Sequence, residues 1–502
     1  MLLTTFLLTF ALLSIVYLYL KRKYFTLVGP LPGLPPRFLF GNLLDVDILK
    51  GEPLVNVYAK LQQTYGDVCQ FWAGPDHFYM FSKVEHFQHI FTHRNIYDLA
   101  DVSIRFFGLQ MPSSLLAIKG EQFKRHARVM LPMFKKNKVI SHVNTIIDCT
   151  DKLIHLWRHE QPEELNENIV QQSKSLLLDI IGFIAFDYDL QTVEQSEQDE
   201  KKELTKALNI FINMHHTIMQ AAFVPTILFK WWLKLNLRYQ NALKTLQYTA
   251  YSIIAKESEY TGHQVKPKNL ISMLVSSLQK NEEDERKKSE VDKYGLSRAE
   301  LLDEILLSIG AGFETTSTAL AWFIYYMSKH AHIQEKIKQE LRANNIMAQT
   351  YLNIELLDKL TYVDCVMKEV LRYAPIIDCT VRTLTQDDEI DGIKLKKGES
   401  VLMAFYNVHM DKRYWNLDPQ QFIPERFLSE DKNHHPLALG TFGGGHRACA
   451  GQDLARLELK IIITRLMQYV TFIDGGQEKN SGGKQQSLTC TPKNVAVYIQ
   501  FD

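Results

Sequence analysis

The sequence predicts a mainly α fold with a small β portion and a single N-terminal transmembrane helix. Three observations lead there. Residues 2–20 form an uncharged, apolar run followed at once by Lys21, Arg22 and Lys23. Amphipathic helical patterns fill residues 140–260, 297–330 and 452–469. Alternating, strand-like runs are confined to residues 68–72, 78–81, the stretch beyond Cys379 and the C-terminal tail.

Composition narrows the classes. The 502 residues are 46% hydrophobic and carry 57 basic and 57 acidic side chains, so net charge is zero. No global field favours nucleic acid. The six cysteines form no C-x-x-C pair. A reduced, cytosol-facing compartment fits them better than a disulfide framework or a zinc site.

Taken in order, the first run is about the ~20 residues a bilayer core requires. Positive charge after it, and none before, puts the C-terminal bulk on the cytosolic side. A cleaved signal peptide needs a basic start and small residues at its end; this run starts Met-Leu-Leu and ends Val-Tyr-Leu-Tyr-Leu. The expected domains are an anchor over 1–20, a basic and proline-rich hinge over 21–41, and a catalytic domain over 42–502. Prolines 30, 32, 35 and 36 stiffen that hinge. A helix follows over 54–65, then a hairpin turning at Gly74-Pro75-Asp76. Residues 98–119 have no clean period and are rich in Phe106, Phe107, Leu109 and Met111. Turn signals at Gln161-Pro162 and Thr261-Gly262 divide the next helices. Trp231 and Trp232, flanked by Lys230, Lys234 and Arg238, suit a membrane interface or, equally, a core-packed pair. The charge run 281–292 reads as a solvated or disordered loop.

Ser297-Arg-Ala-Glu300 is a capping box that opens a helix reaching His330, about 50 Å long. Thr361-Tyr-Val-Asp364 caps another, which ends before Pro375. Turns at Asp391-Gly392 and Lys397-Gly398 separate short strands. After Gly475 the tail reads as a loop and then a closing hairpin of residues 488–491 and 495–501, with Leu488 and Thr489 placed to touch a ligand.

The chemistry gathers at Phe442-Gly-Gly-Gly-His-Arg-Ala-Cys449-Ala-Gly451. A cysteine on a tight loop opening into a helix is placed where partial positive charge favours thiolate. Glycines let the backbone approach something flat and bulky. Phe442, Gly445, Arg447, Cys449 and Gly451 fit the haem-binding signature of the cytochrome P-450 monooxygenases, eukaryotic microsomal type, and the chain resembles that family from the proline-rich segment to its C-terminal strands. The resemblance implies the cytochrome P-450 fold, with haem b between the long helix and the Cys449 loop. It makes Cys449 the axial thiolate to iron, which favours O–O cleavage, and Arg447 a partner of a haem acid.

Further residues match the family. Ala311-Gly312-Phe313-Glu314-Thr315-Thr316 resembles its oxygen-activation motif. There Gly312 lets the haem face approach, Thr315 back-bonds a carbonyl, opens the helix and relays protons, and Glu314 supplies them. Glu369, Arg372 and Arg426 match a buried ionic triad, and Arg382 a strand arginine that reaches a haem propionate. One helix departs from the pattern: Phe123 and Ala127 stand where the family has Trp and Arg, which leaves propionate pairing to Arg382, Arg447 and His446 unless His126 or Arg128 substitutes.

The implied reaction puts one atom of O2 into a lipophilic substrate, by hydroxylation or epoxidation. Electrons come from NADPH through a separate NADPH-cytochrome reductase flavoprotein, docked near Lys135, Lys136 and Lys138. Apolar pocket candidates are Phe106, Phe107, Ile309, Phe313, Ile376 and Ile377. The expected location is the endoplasmic reticulum membrane, with a single-pass anchor and a cytosolic catalytic domain. Two alternatives are a relative that rearranges peroxides without O2, and a non-catalytic haem protein.

Overall fold

The apolar run forms α1 (Leu2–Tyr24), with Lys21, Arg22 and Lys23 in its last turn. Residues 4–24 are long and apolar enough to cross a membrane, and none of that stretch is buried against the body. In the computed structural model, residues 2–160, 164–194, 199–220, 224–261, 270–374 and 376–502 are described. The turn residues Pro162 and Gly262, as well as Pro375 and Phe223, lie outside them.

The expected hinge is divided. Its basic residues belong to α1, and its proline-rich part is bound to the body. Gln70 donates its backbone N–H to Pro32 O at 2.8 Å and its amide to Val28 O and Leu31 O, and it accepts from Val28 N–H. Prolines have no N–H to offer, so their segment is held through its carbonyls.

Helix α2 (Leu54–Tyr65) and the hairpin β1 (Val68–Ala73)–β2 (Asp76–Phe81) form where the patterns place them. After α3 (Val84–Thr92) and β3 (Tyr97–Leu99) come α4 (Gly120–Met130), α5 (Val143–Glu160), β4 (Leu165–Asn166), α6 (Ile169–Phe186), α7 (Asp199–Gln220), α8 (Thr226–Leu235) and α9 (Leu237–Thr261). The central helix α10 (Arg298–Lys329) is 32 residues, about 48 Å at 1.5 Å per residue. Its capping box is complete: Ser297 Oγ accepts from the Glu300 N–H, and Glu300 accepts from the Ser297 N–H.

The charge run is ordered rather than loose. Residues 282–286 form a short helix capped by Asn281, and Glu290 reaches Arg125. Then come α11 (Ala331–Ala343) and α12 (Thr361–Tyr373). Thr361 does not cap α12: Glu340 of α11 accepts the N–H groups of Tyr362 and Val363 instead.

Strands β5 (Cys379–Leu384) and β8 (Ser400–Ala404) complete a five-stranded sheet ordered β1-β2-β8-β5-β3, with β6 (Asp388–Ile390) and β7 (Ile393–Leu395) as a side hairpin. Helix α13 (Gln452–Met467) follows the cysteine loop. At the C-terminus, β9 (Val470–Asp474) pairs with β12 (Val497–Phe501), and β10 (Gly482–Gln486) with β11 (Cys490–Asn494). The expected closing hairpin is therefore replaced by two separate pairings. The glycine-rich stretch reads as loop but forms a strand, and 497–501 is taken by β9.

The main core is α10 packed on α6, α12 and α13. Side chains such as Ile180, Leu320, Val366 and Ile462 are wholly enclosed there.

Candidate active site

Cys449 sits on the loop that opens α13. Gly443 and Gly445 both have φ of 69°, in the left-handed region that glycine enters freely. A Cβ on Gly445 would lie 2.6 Å from Phe91 O, and one on Gly444 would overlap the Phe91 ring. The loop is closed by Cys449 N–H donating to Phe442 O at 2.9 Å. All six cysteines are free, and Cys449 is the only exposed one. Protein nevertheless rings the sulfur, and that burial pushes the thiol up; the Gly451 amide and Arg456 pull it down. Arg456 also lies over the Phe442 ring, 4.9 Å from its centroid. Loop geometry alone thus does not make a thiolate; coordination to a metal would.

Most of α10 is buried, but Leu307, Ser308, Ala311 and Thr315 keep accessible surface. Their spacing of three and four puts them on one stripe. α10 packs on α13, which begins three residues after Cys449. Thr315 Oγ1 donates to Ala311 O at 2.9 Å, the expected back-bond, yet the helix runs through it uninterrupted. Beneath it Glu458 of α13 is fully enclosed; burial pushes its carboxyl up to about 8 against a hydrogen bond from Thr316.

Three expectations need correction. A Cβ on Gly312 would meet Ile181 Cδ1 at 2.8 Å, so this glycine lets α6 pack close and does not open the helix to a cofactor. Ile309 points into the gap shared with Gly182, Leu190 and Leu246, on the α6–α7–α9 side. Glu314 is one residue and about 100° from Thr315, and its carboxylate is wholly buried. It pairs with Lys174 at 3.1 Å, accepts from Thr489 at 3.3 Å and lies 3.8 Å from His216. Of the other pocket candidates, Phe106, Phe313 and Ile376 are buried, and Phe107 stacks near His215 at 4.6 Å.

The ionic triad assembles as expected. Glu369 takes Arg372 through two bonds of 2.8 Å and Arg426 through one of 3.1 Å, and all three are wholly buried. Asp431 joins at 2.9 Å. Arg372 and Arg426 each use all five guanidinium N–H groups, mostly on carbonyls of residues 409–421.

The other enclosed arginines differ in how many of their donors are used. Arg125 places all five N–H groups on Glu290, Glu300 and Gly295 O. Arg447 uses four: two on Asp98 at 2.7 and 3.0 Å, one on Leu115 O and one on Ile118 O. Arg382 uses only two, both from Nη1, on Thr380 Oγ1 and Val381 O. Three of its donors have no partner among the described residues, although the side chain is only 4% exposed. Burial and the nearby Arg447 push it down to about 10. A buried cation short of an acid suits a carboxylate-bearing cofactor. The residues present therefore fit haem.

Helix α4 offers that cofactor nothing. His126 turns into α10, where Nδ1 meets Glu304 Oε1 at 2.7 Å, and Arg128 is exposed. Neither replaces the arginine missing at Ala127. Sequence reading missed Asp98, Lys174, His216, Asp431 and Glu458; all but Asp431, which binds Arg426 five residues away, act through partners scores to hundreds of residues distant.

The cytochrome P450 family model matches residues 31–499. Among curated relatives, cytochrome P450 3A29 of Sus scrofa is 28% identical over 475 residues, covering 91% of this chain and 89% of its own. Cytochrome P450 4V2 of Mus musculus is 26% identical over 453 residues, covering 86% and 82%. Cytochrome P450 709B1 of Arabidopsis thaliana is 24% identical over 465 residues, covering 87% and 85%.

Proposed function

The chain belongs to the cytochrome P450 family, and from that premise we propose that it hydroxylates or epoxidises a lipophilic substrate, with electrons delivered from NADPH by a separate flavoprotein reductase. The observation that carries this reading is the exposed cysteine, Cys449, on a glycine loop beside which a buried arginine, Arg382, has three donors to spare. Haem-thiolate chemistry supplies the cleavage of O2. The chain's own groups do the rest.

Cys449 would hold the iron, with the Gly451 N–H donating to its sulfur. Arg382 would hold a propionate with its three free donors, and Phe442, Gly445 and Arg447 would shape the loop around the cofactor. Thr315 carries a hydroxyl on the exposed stripe of α10 and holds or passes a proton there. Glu314 reaches that proton path only by leaving Lys174, because its carboxylate points the other way. The triad of Glu369, Arg372 and Arg426 fixes residues 409–431 below the loop. Phe106, Phe107 and Ile376 remain candidates for an apolar lining, which supports a lipophilic substrate, whereas Phe313 faces away from the Ala311–Thr315 stripe.

Lys135, Lys136 and Lys138 are exposed beside α13, which supports a docking surface for an acidic reductase face. Trp231 is 65% exposed and Trp232 41%, with Ile227, Leu228 and Leu235 beside them. That face supports a body dipped into the bilayer next to the α1 anchor, with the catalytic domain in the cytosol at the endoplasmic reticulum.

The test is the absorption spectrum of the reduced protein under carbon monoxide, followed by NADPH turnover with added reductase. A strongly red-shifted Soret band, lost in Cys449→Ser, is the expected result. A band of imidazole type, or turnover independent of reductase, overturns the reading. Charge reversal at the three lysines lowers turnover at low salt; unchanged turnover removes them from the docking site.

A further inference from the structure

We propose that Asp98 acts as an internal counter-acid for Arg447, so that Arg382 is the buried cation left without an acid beside it. The two are 349 residues apart in sequence, and β3 and the cysteine loop bring them together. Arg447 donates from Nε and Nη2 to Asp98 Oδ1, at 3.0 and 2.7 Å. The Leu99 N–H and His446 also meet that oxygen, at 2.7 and 3.4 Å. The guanidinium plane lies on the Phe123 ring, 3.3 Å from its centroid. With Leu115 O and Ile118 O taken, one N–H of Arg447 remains.

The charges decide the consequence. The enclosed charges there are two arginines and one aspartate, a net of one positive charge to set against two propionates, while Arg456 is exposed on the Cys449 side. Helix α4 adds nothing, because Arg125 and His126 are spent on Glu290, Glu300 and Glu304. Phe123 has no donor and instead stacks on Arg447. The three free donors of Arg382 would hold one propionate. A second propionate drawn to Arg447 would meet an arginine that is already neutralised, with a carboxylate beside it. Asp98 is a positioning residue: it locks Arg447 between β3 and the loop at the expense of that arginine's pull on the cofactor.

The inference rests on the haem-thiolate reading, and the reduced carbon monoxide spectrum tests that reading separately. A protein without the band fails the reading; a protein with the band passes it and enters the following test. Haem transfer from the holoenzyme to excess apomyoglobin is timed for the wild type, Asp98→Asn, Arg382→Gln and Arg447→Gln. Asparagine keeps the acceptor oxygen for Arg447 and Leu99 and removes only the charge. Asp98→Asn is expected to slow haem loss about tenfold, the worth of one charge-assisted hydrogen bond, and to raise the haem midpoint potential because an anion has left its surroundings. Arg382→Gln speeds loss by more than Arg447→Gln does. An Asp98→Asn protein that releases haem as fast as the wild type or faster overturns the proposal, as does an Arg447→Gln protein that loses haem as fast as Arg382→Gln.

Discussion

Arg426→Lys keeps the positive charge of the triad and changes only its shape. Arginine at this site feeds five acceptors: Glu369, Asp431 and the carbonyls of Leu417, Asp418 and Gln421. Lysine carries three N–H groups on one nitrogen, so at least two acceptors lose their charged donor. Glu369, Asp431, Asp418 O and Gln421 O keep other donors, and Leu417 O is the acceptor left bare, so the change costs about 1–3 kcal/mol. Trp415 is a local reporter, since the guanidinium groups of Arg372 and Arg426 lie 5.2 and 5.6 Å from its ring. Urea unfolding followed by tryptophan fluorescence gives the loss from the shift in midpoint at constant slope. A loss below about 1 kcal/mol refutes the reasoning, because it means that residues 409–431 are held by something other than this network.

Three further outcomes are expected. Gly444→Ala has an extended backbone at φ −159°, so its only cost is the overlap with Phe91; haem content falls with stability by about 1–3 kcal/mol, and adding Phe91→Leu restores part of both. His126 is pushed down by burial, but Glu300 and Glu304 outweigh that and raise it. Its stabilisation is therefore full below the ordinary histidine value and lost as pH rises through the raised one. His126→Gln should cost about 3–5 kcal/mol in urea unfolding at pH 6 and markedly less at pH 9; an equal loss at both removes the charged form from the account. In vesicles of brominated lipid, the fluorescence of the full chain is partly quenched, and replacing Trp231 and Trp232 by Phe abolishes the quenchable part if that face meets lipid.

Elements written in local signals were legible to the residue. Helix α2 and the start of α10 follow from hydrophobic period and from Ser297 and Glu300, which are neighbours in sequence. The cysteine loop is legible because its chemistry fits within ten residues. What escaped depends on distant partners. Glu340 caps α12 from another helix, and nothing near Thr361 announces that. β10 is a strand only because β11 pairs with Gly482-Gly-Lys-Gln-Gln486, a composition that reads as loop. Gly312 matches a motif, but which way its missing side chain would point is set by Ile181, 131 positions earlier in the chain. Asp98 lies in a stretch without period, and only the fold brings Arg447 to it.

Gln70 has a mechanical consequence. With residues 28–32 bound to β1 through one side-chain amide and one backbone N–H, and with Phe25 buried and its N–H given to Lys21 O, little slack chain separates the anchor helix from the body. The two then turn together. With α1 spanning a bilayer as proposed, a thicker bilayer would stand the helix more upright and carry the body with it, changing how deeply the Trp231 face would sit. In that setting one glutamine amide would make membrane thickness a control on the tilt of the body, and Gln70→Ala would uncouple the two.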